Sequence, residues 1–293
     1  MPAWVTDGGL ETDLLFHHGI DLPKFAAFPL VDDAAGARLL EGYFRKYAAI
    51  AAAADAGLVL ETPTWRANPD WAMKVGYSGP DLERVNAAAV ALVQRVAADA
   101  SRVRISGVVG PRGDGYVAAG AEADAAAEYH TLQIRALAAA GVDVIHAMTL
   151  TGPAEAIGVV RAARAVGVPV GISFTVETNG RLPDGTPLSA AIAAVDTVAA
   201  PDWYGVNCAH PTHVEPALDG GAWQLRIHMF RPNASTLTHE ELDEMEVLDE
   251  GDRPLLRTST HALLDALGHV TTLGGCCGTD ASHVAELWGV PAP

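Results

Sequence analysis

The sequence predicts an α/β fold, a single-domain (β/α)8 TIM barrel. Three observations lead there. Short β-type runs alternate with longer alanine-rich helical runs eight times along 293 residues, and that alternation implies parallel strands covered by helices. Eight such units are the number that closes a barrel. No Gly-x-Gly-x-x-Gly phrase follows the first β-run, which argues against an open dinucleotide-binding sheet. No proline- or serine-rich linker divides the chain, so residues 1–293 read as one domain, and barrels commonly reach this size as one unit.

The first strand lies around Val5-Thr6 and ends at Asp7-Gly8-Gly9. Helical spacing follows from about Arg38 to Ala56, and Leu58 to Leu60 form the second strand, ending at Glu61-Thr62. A helix covers roughly Asp81 to Ala100, the third strand Val103 to Val109, and a helix about Ala121 to Ala140, with Gly141 as its stop signal. The fourth strand is Val142 to Ala147. Pro153 opens the next helix and Gly167 closes it, the expected asymmetry of helix ends. The fifth strand, Val168 to Thr175, is followed by a Gly/Pro/Asn-rich loop from Asn179 to Pro187 and a helix at about Leu188 to Ala199. Trp203 to Asn207 is the sixth strand, with a short helix near Val214, and Leu225 to Phe230 is the seventh. A helix near Pro254 to Leu267, the eighth strand at Val270 to Leu273 and a last helix at Ala281 to Trp288 complete the series.

Composition narrows the function. The formal charge of -17 argues against nucleic-acid and anionic-membrane partners, which need a basic footprint. Eight acids between Glu240 and Asp252 supply part of that excess, and such a run reads as a solvated helix face and loop. Hydrophobic residues make up 49% of the chain, enough for a sizeable core, but every long apolar stretch is broken by charge or glycine, so no window resembles a membrane span. The start, Met1-Pro2-Ala3-Trp4, lacks the basic and apolar regions of a signal peptide. With an odd number of cysteines, a reducing cytoplasm is the expected compartment.

The chain has only 3 cysteines, and they stand at the ends of two β-runs: Asn207-Cys208-Ala209 and Gly274-Gly275-Cys276-Cys277-Gly278-Thr279. Chemistry in a (β/α)8 barrel sits at the carboxyl ends of the strands. Asp7, Glu61, Thr62, Met148, Thr149, Glu177 and Arg231 fall at those ends too. Cysteines about 70 residues apart in sequence would therefore face one cavity. Thiolate is soft and suits zinc. Adjacent cysteines reach one ion if the backbone bends sharply, and Gly274, Gly275 and Gly278 permit the bend. One Zn2+ on three thiolates keeps a vacancy where a fourth thiol binds as thiolate, a nucleophile for an activated methyl group. Competing readings are three buried free thiols, a vicinal disulfide at Cys276-Cys277, and a structural zinc site completed by His210 or His213.

These phrases resemble the homocysteine S-methyltransferase family, whose relatives include betaine–homocysteine methyltransferase and the homocysteine domain of cobalamin-dependent methionine synthase. The resemblance runs from Asp7-Gly8-Gly9-Leu10-Glu11-Thr12 through Gly205-Val206-Asn207-Cys208 and Arg231-Pro232-Asn233-Ala234 to the paired cysteines. It implies a zinc-dependent (β/α)8 barrel with one Zn2+ per chain on Cys208, Cys276 and Cys277. It implies substrate-side roles for Asp7, which would meet the amino group of homocysteine, and for Thr62, Thr64 and Asn207. Met148 stands where many relatives carry a glutamate that grips the substrate amine, so it becomes a wall of the cavity, and Glu61 or Glu177 is left to take the glutamate's place.

The resemblance further implies a small-molecule thiol and a methyl donor as partners. Trp65-Arg66 replaces the aromatic pair of the betaine pocket, and an arginine repels a quaternary ammonium, so betaine is the least favoured donor. Sulfonium donors, S-methylmethionine or S-adenosylmethionine, are the expectation, under the same objection if Arg66 faces the pocket. Methylcobalamin would have to come from a partner. The reading is a zinc-dependent thiol S-methyltransferase that acts on homocysteine or a related thiol and forms methionine or a thioether. Its rivals are a zinc hydrolase or lyase on the same barrel, disfavoured because three thiolates make zinc a poor activator of water, and a non-catalytic zinc- or thiol-binding protein. The oligomeric state is not readable from the sequence.

Overall fold

A computed structural model describes every residue except Met1 and Ala119. Eight strands close into a barrel in sequence order, each parallel to its neighbours. The elements are β1 (Trp4–Val5), α1 (Leu10–Thr12), α2 (Ala34–Ala53), β2 (Gly57–Glu61), α3 (Pro69–Lys74), α4 (Gly79–Ala97), β3 (Val103–Val109), α5 (Ala123–Ala139), β4 (Val144–Leu150), α6 (Pro153–Ala165), β5 (Val170–Phe174), α7 (Leu188–Ala199), β6 (Trp203–Ala209), α8 (Pro211–Val214), β7 (Ile227–Pro232), α9 (His239–Asp243), α10 (Arg253–Leu267), β8 (Thr272–Leu273) and α11 (Ala281–Trp288). The seam closes where Trp4 pairs with Gly57 on one side and Thr272 on the other. Strands buried on both faces read as continuous apolar runs, and all five residues of β2 are buried. Among the described residues no helix is long and apolar enough to cross a membrane.

Four strands run past their expected ends: β2 by one residue to Glu61, β7 by two to Pro232, and β4 and β6 with register shifts that matter to the site. β4 continues through Met148 and Thr149 to Leu150, with a register shift between Ala147 and Leu150. β6 continues through Cys208 to Ala209, with a shift between Asn207 and Ala209. Periodicity does not reveal a bulge, because the extra residue carries no compositional mark. Helix α3, a turn and a half after Asn68-Pro69, was not anticipated; the Asn68 side chain caps it by accepting from Trp71 N–H at 3.3 Å.

The acidic run is largely solvated, as its composition implies, and four of its members have local structural tasks: Glu241 closes a capping box with Thr238 at the start of α9, Glu250 pairs with His17 and Arg253, and Asp249 and Asp252 act on their own segments. Asp252 caps α10 by accepting from Leu255 N–H at 2.9 Å, and Asp249 accepts the Ser235 hydroxyl and, at 2.9 Å, Gly251 N–H. Both α10 and α11 end on a left-handed glycine, Gly268 and Gly289.

Helix α11 follows directly on the paired cysteines, so its first turn anchors them. Asp280 accepts from Ser282 N–H (2.8 Å), His283 N–H (3.0 Å) and the His283 ring at Nδ1 (2.8 Å). Burial would raise this carboxyl, but the hydrogen bonds from His283 and Ser282 outweigh it and hold it well below the usual aspartate range. Replacing Asp280 with Ala should cost about 1–2 kcal/mol in urea denaturation at neutral pH. Because the folded-state pKa is depressed, that difference is present above the ordinary aspartate pKa of about 4 and shrinks as pH falls below it.

Candidate metal centre

Cys276 and Cys277 lie just past β8, in a turn stitched to the strands on either side. Gly275 N–H donates to Asp7 O (2.8 Å) and Cys276 N–H to Pro232 O (2.7 Å). Ala234 N–H donates to Cys277 O (3.1 Å), and Thr279 Oγ1 to Cys276 O (2.7 Å). The glycines are there for close approach more than for bending. A Cβ on Gly275 would lie 2.0 Å from Thr279 Oγ1, and one on Gly9 would lie 2.5 Å from Cys276 O. Gly278 alone of the three expected bend residues has a left-handed φ, +78°.

Cys208 reaches the same point from the bulge in β6, and it does so in a costly conformation. Its φ is 57°, and Thr149, in the facing bulge of β4, has φ 62°. Such values are uncommon for non-glycine residues, and for a β-branched threonine they are an outlier. They cost of the order of 1–3 kcal/mol each and persist only where the surroundings over-determine them. Here they do. The Cys208 carbonyl accepts three hydrogen bonds, from His239 Nε2 (2.6 Å), Thr175 Oγ1 (3.2 Å) and Asn233 Nδ2 (3.2 Å). Asn207 grips Thr149 twice: it accepts from Thr149 N–H at 2.8 Å and donates to Thr149 Oγ1 at 2.8 Å.

The three sulfurs consequently converge. Cys208 Sγ lies 2.8 Å from Cys276 Sγ and 3.5 Å from Cys277 Sγ, and all three lie within 4.8 Å of one another. They are free thiols, so no vicinal disulfide is formed. No histidine belongs to the cluster: His210 Nδ1 is bonded to Thr212, and His213 Nε2 donates to Thr236 O. A tetrahedral zinc site with Zn–S of about 2.3 Å has an S···S edge of about 3.8 Å; the donor set suits that ion in kind, the Cys208–Cys277 pair is near that edge at 3.5 Å, and the Cys208–Cys276 pair at 2.8 Å would open by about 1 Å to hold it. Hydrogen bonds from Cys208 and Cys277 and the charge of Arg231 hold the Cys276 thiol well below its usual range. The Cys208 thiol is pushed up by sharing its proton with that thiolate, and Cys277 is raised as well.

Two groups near the sulfurs were missed from the sequence. Tyr116, on the loop after β3, places its hydroxyl 3.3 Å from Cys208 Sγ and 3.6 Å from Cys277 Sγ. Its ring stacks on His239 at 4.1 Å, and the His239 ring faces Glu177 at 2.9 Å through Nδ1. A tyrosine after a glycine-rich turn and a histidine heading the acidic run carry no signal without the tertiary contact.

The sulfurs open into a small chamber of ≈ 60 Å³ lined by Asp7, Thr62, Met148 and Asn207 among others. Four of the substrate-side expectations thus reach one space. Thr64 does not: it is fully buried, hydrogen-bonded to the Thr62 hydroxyl (2.7 Å) and donating to Val108 O (2.7 Å), so it supports Thr62 from behind. Through the shared walls Phe25, Trp65, Tyr116 and Cys277 the chamber communicates with an outer cavity of ≈ 460 Å³. Arg66 belongs to the outer cavity only. Its guanidinium is sandwiched between the rings of Trp65 (4.0 Å) and Trp71 (3.6 Å), and burial lowers its pKa to about 10.

A charge network floors the chamber. Arg231 Nη2 pairs with Asp7 at 2.7 Å and Nη1 lies 3.5 Å from Glu61. Glu61 also faces His146 Nδ1 at 2.9 Å, and His146 Nε2 bonds Ser173 at 2.7 Å. Burial would raise Glu61, and His146 and Arg231 reverse that and bring it below the usual carboxylate range. Asp7 is less compensated: burial lifts it to about 6 despite Arg231. Glu177 is engaged with His239, so neither Glu61 nor Glu177 stands free to replace the glutamate that Met148 displaces.

The homocysteine S-methyltransferase family model matches residues 4–289. The chain belongs to that family. The methyltransferase also superposes on solved structures of Escherichia coli homocysteine methyltransferase MmuM. Its oxidised form gives a TM-score of 0.76 at 21% identity, covering 98% of this chain and 95% of that one. The metallated form gives 0.72 at 20% identity, covering 99% and 96%. At such identity the likeness establishes the shared fold. No curated protein sequence matches the chain.

Because Asn207 satisfies the Thr149 N–H in a strained, buried turn, Asn207→Ala in the methyltransferase should lower stability by about 1–3 kcal/mol in chemical denaturation. A drop in stability below a few tenths of a kcal/mol would show the clamp to be dispensable.

Proposed function

We propose that this enzyme is a zinc-dependent thiol S-methyltransferase that moves a methyl group from a sulfonium donor, S-methylmethionine or S-adenosylmethionine, to homocysteine or a related thiol. The product is methionine or the corresponding thioether. The observation that carries the reading is the convergence of Cys208, Cys276 and Cys277 on a chamber that opens to a larger cavity. Cys208, Cys276 and Cys277 would hold one Zn2+ per chain. When bound, that ion lowers the pKa of the acceptor thiol into the neutral range.

The chain's own residues supply placement. The inner chamber admits the thiol end of an acceptor, and the donor approaches through the outer cavity past Trp65 and Phe25. In-line transfer forms a bond from acceptor sulfur to the methyl carbon as the donor's sulfur–methyl bond breaks. The bonding pair leaves with the donor sulfur, which becomes a neutral thioether. Holding both partners in line converts a bimolecular encounter into a positioned one. Tyr116 must yield its place beside the sulfurs to the incoming thiol.

The electrostatics suit a cationic donor. The outer cavity through which it approaches is lined by Asp114, Asp243 and Asp249 against Lys24 and Arg66. Arg66, which would oppose a sulfonium, is set in the outer cavity against two indoles and lies 4.0 Å from Asp114.

Zinc-loaded protein incubated with homocysteine and S-methylmethionine or S-adenosylmethionine should yield methionine by mass spectrometry. Single alanine replacements of Cys208, Cys276 or Cys277 should lose both bound zinc and product. Stoichiometric zinc retained after all three are removed, or turnover of an ester or amide with no methyl donor present, would overturn the assignment.

A further inference from the structure

The inner chamber presents three carboxylates, and two of them already have partners. Asp7 is paired with Arg231 at 2.7 Å. Glu61, 2% exposed, faces His146 at 2.9 Å and Arg231 at 3.5 Å. Glu11 is different. It stands in the first turn of α1, just beyond the Asp7-Gly8-Gly9 turn, and its side chain lines the same chamber. Among the described residues its carboxylate makes no side-chain hydrogen bond and no ion pair. The charges that act on it are the Cys276 thiolate, Asp7 and Arg231, and it in turn acts on Arg66. Glu11 lines the inner chamber and the next residue, Thr12, lines the outer cavity, so Glu11 stands where the two adjoin. Burial lifts its pKa to about 7. A partly buried carboxylate without a partner is destabilising until a cation or donor meets it.

We infer that Glu11, and not the floor carboxylates, forms the subsite for the acceptor's ammonium group. The inference rests on the thiol methyltransferase reading and sharpens it. The wall opposite offers Met148, which gives an ammonium nothing, and the floor carboxylates Asp7 and Glu61 are shared with Arg231. Glu11 is the one chamber carboxylate with no side-chain partner, its only hydrogen bond coming from its own backbone N–H, and an ammonium has three donors to offer it. A charge-assisted pair in a small, partly dry chamber is worth more than one at a surface.

The test uses a ligand pair that differs only in that group: L-homocysteine and 4-mercaptobutanoate. Binding of each to zinc-loaded wild type and Glu11→Gln is measured by isothermal titration calorimetry, with zinc content and melting temperature as controls. Wild type should bind homocysteine about tenfold or more tighter than 4-mercaptobutanoate, and Glu11→Gln should lose about ten- to a hundredfold for homocysteine with little change for 4-mercaptobutanoate. Equal loss for both ligands, or none, overturns the role of Glu11 while leaving thiol binding intact. If Glu11→Gln does not fold, the wild-type pair decides alone, since equal affinities for the two thiols refute an ammonium subsite. Wild type that binds neither thiol brings down the methyltransferase reading itself, and Glu11 with it.

Discussion

Three sulfurs from two strand tips can meet only if the backbone behind them is forced close and held there. The seam between β8 and β1 does the forcing. Gly275 hydrogen-bonds across to Asp7 O at 2.8 Å, and Gly9 sits where any side chain would strike Cys276 O. On the other flank Cys276 N–H is fastened to Pro232 O, and Ala234 N–H to Cys277 O. The paired cysteines are thus wedged between the first and seventh strands, and their side chains have little choice of direction. Cys208 meets them from a strained backbone that three donors to its carbonyl keep in place. The rest of the barrel is the support that makes this local expense tolerable.

Charge is organised on the same scale. Arg231 comes from β7 and answers carboxylates from β1 and β2, while its field also favours thiolate at Cys276. One cation therefore connects the substrate floor to the sulfurs. Its guanidinium also donates to Gly275 O (2.9 Å) and Gly8 O (3.1 Å), so the residue that balances the charge also ties the two glycine turns together.

The two cavities divide the work by size and polarity. The small inner chamber carries the sulfurs with Asp7, Glu11 and Glu61, and the larger outer one carries Trp71, the sandwiched Arg66 and the carboxylates Asp114, Asp243 and Asp249, with Trp65 lining both. Tyr116 belongs to both, and its contact with His239 and thence Glu177 couples the loop after β3 to α9. Tyr116 and His239, neither of which the sequence singled out, are the residues that lie against Cys208 from these segments.

The sequence by itself determined the barrel, because eight alternating β- and helix-type runs have few ways to bury their apolar faces. It also determined the cysteines' convergence, because strand order in a closed parallel barrel brings every carboxyl end to one rim. It was silent on the bulges in β4 and β6, which shift Thr149 and Cys208 by one residue without any change in composition. Thr64 looked equivalent to Thr62 at a spacing of two, and only packing shows that one faces the chamber and the other Val108. Glu61 and Glu177 looked free until their histidines appeared from strands and loops far along the chain. Which carboxylate is left unpaired depends on contacts between residues distant in sequence, and pairing of that kind exists only once the chain has closed on itself.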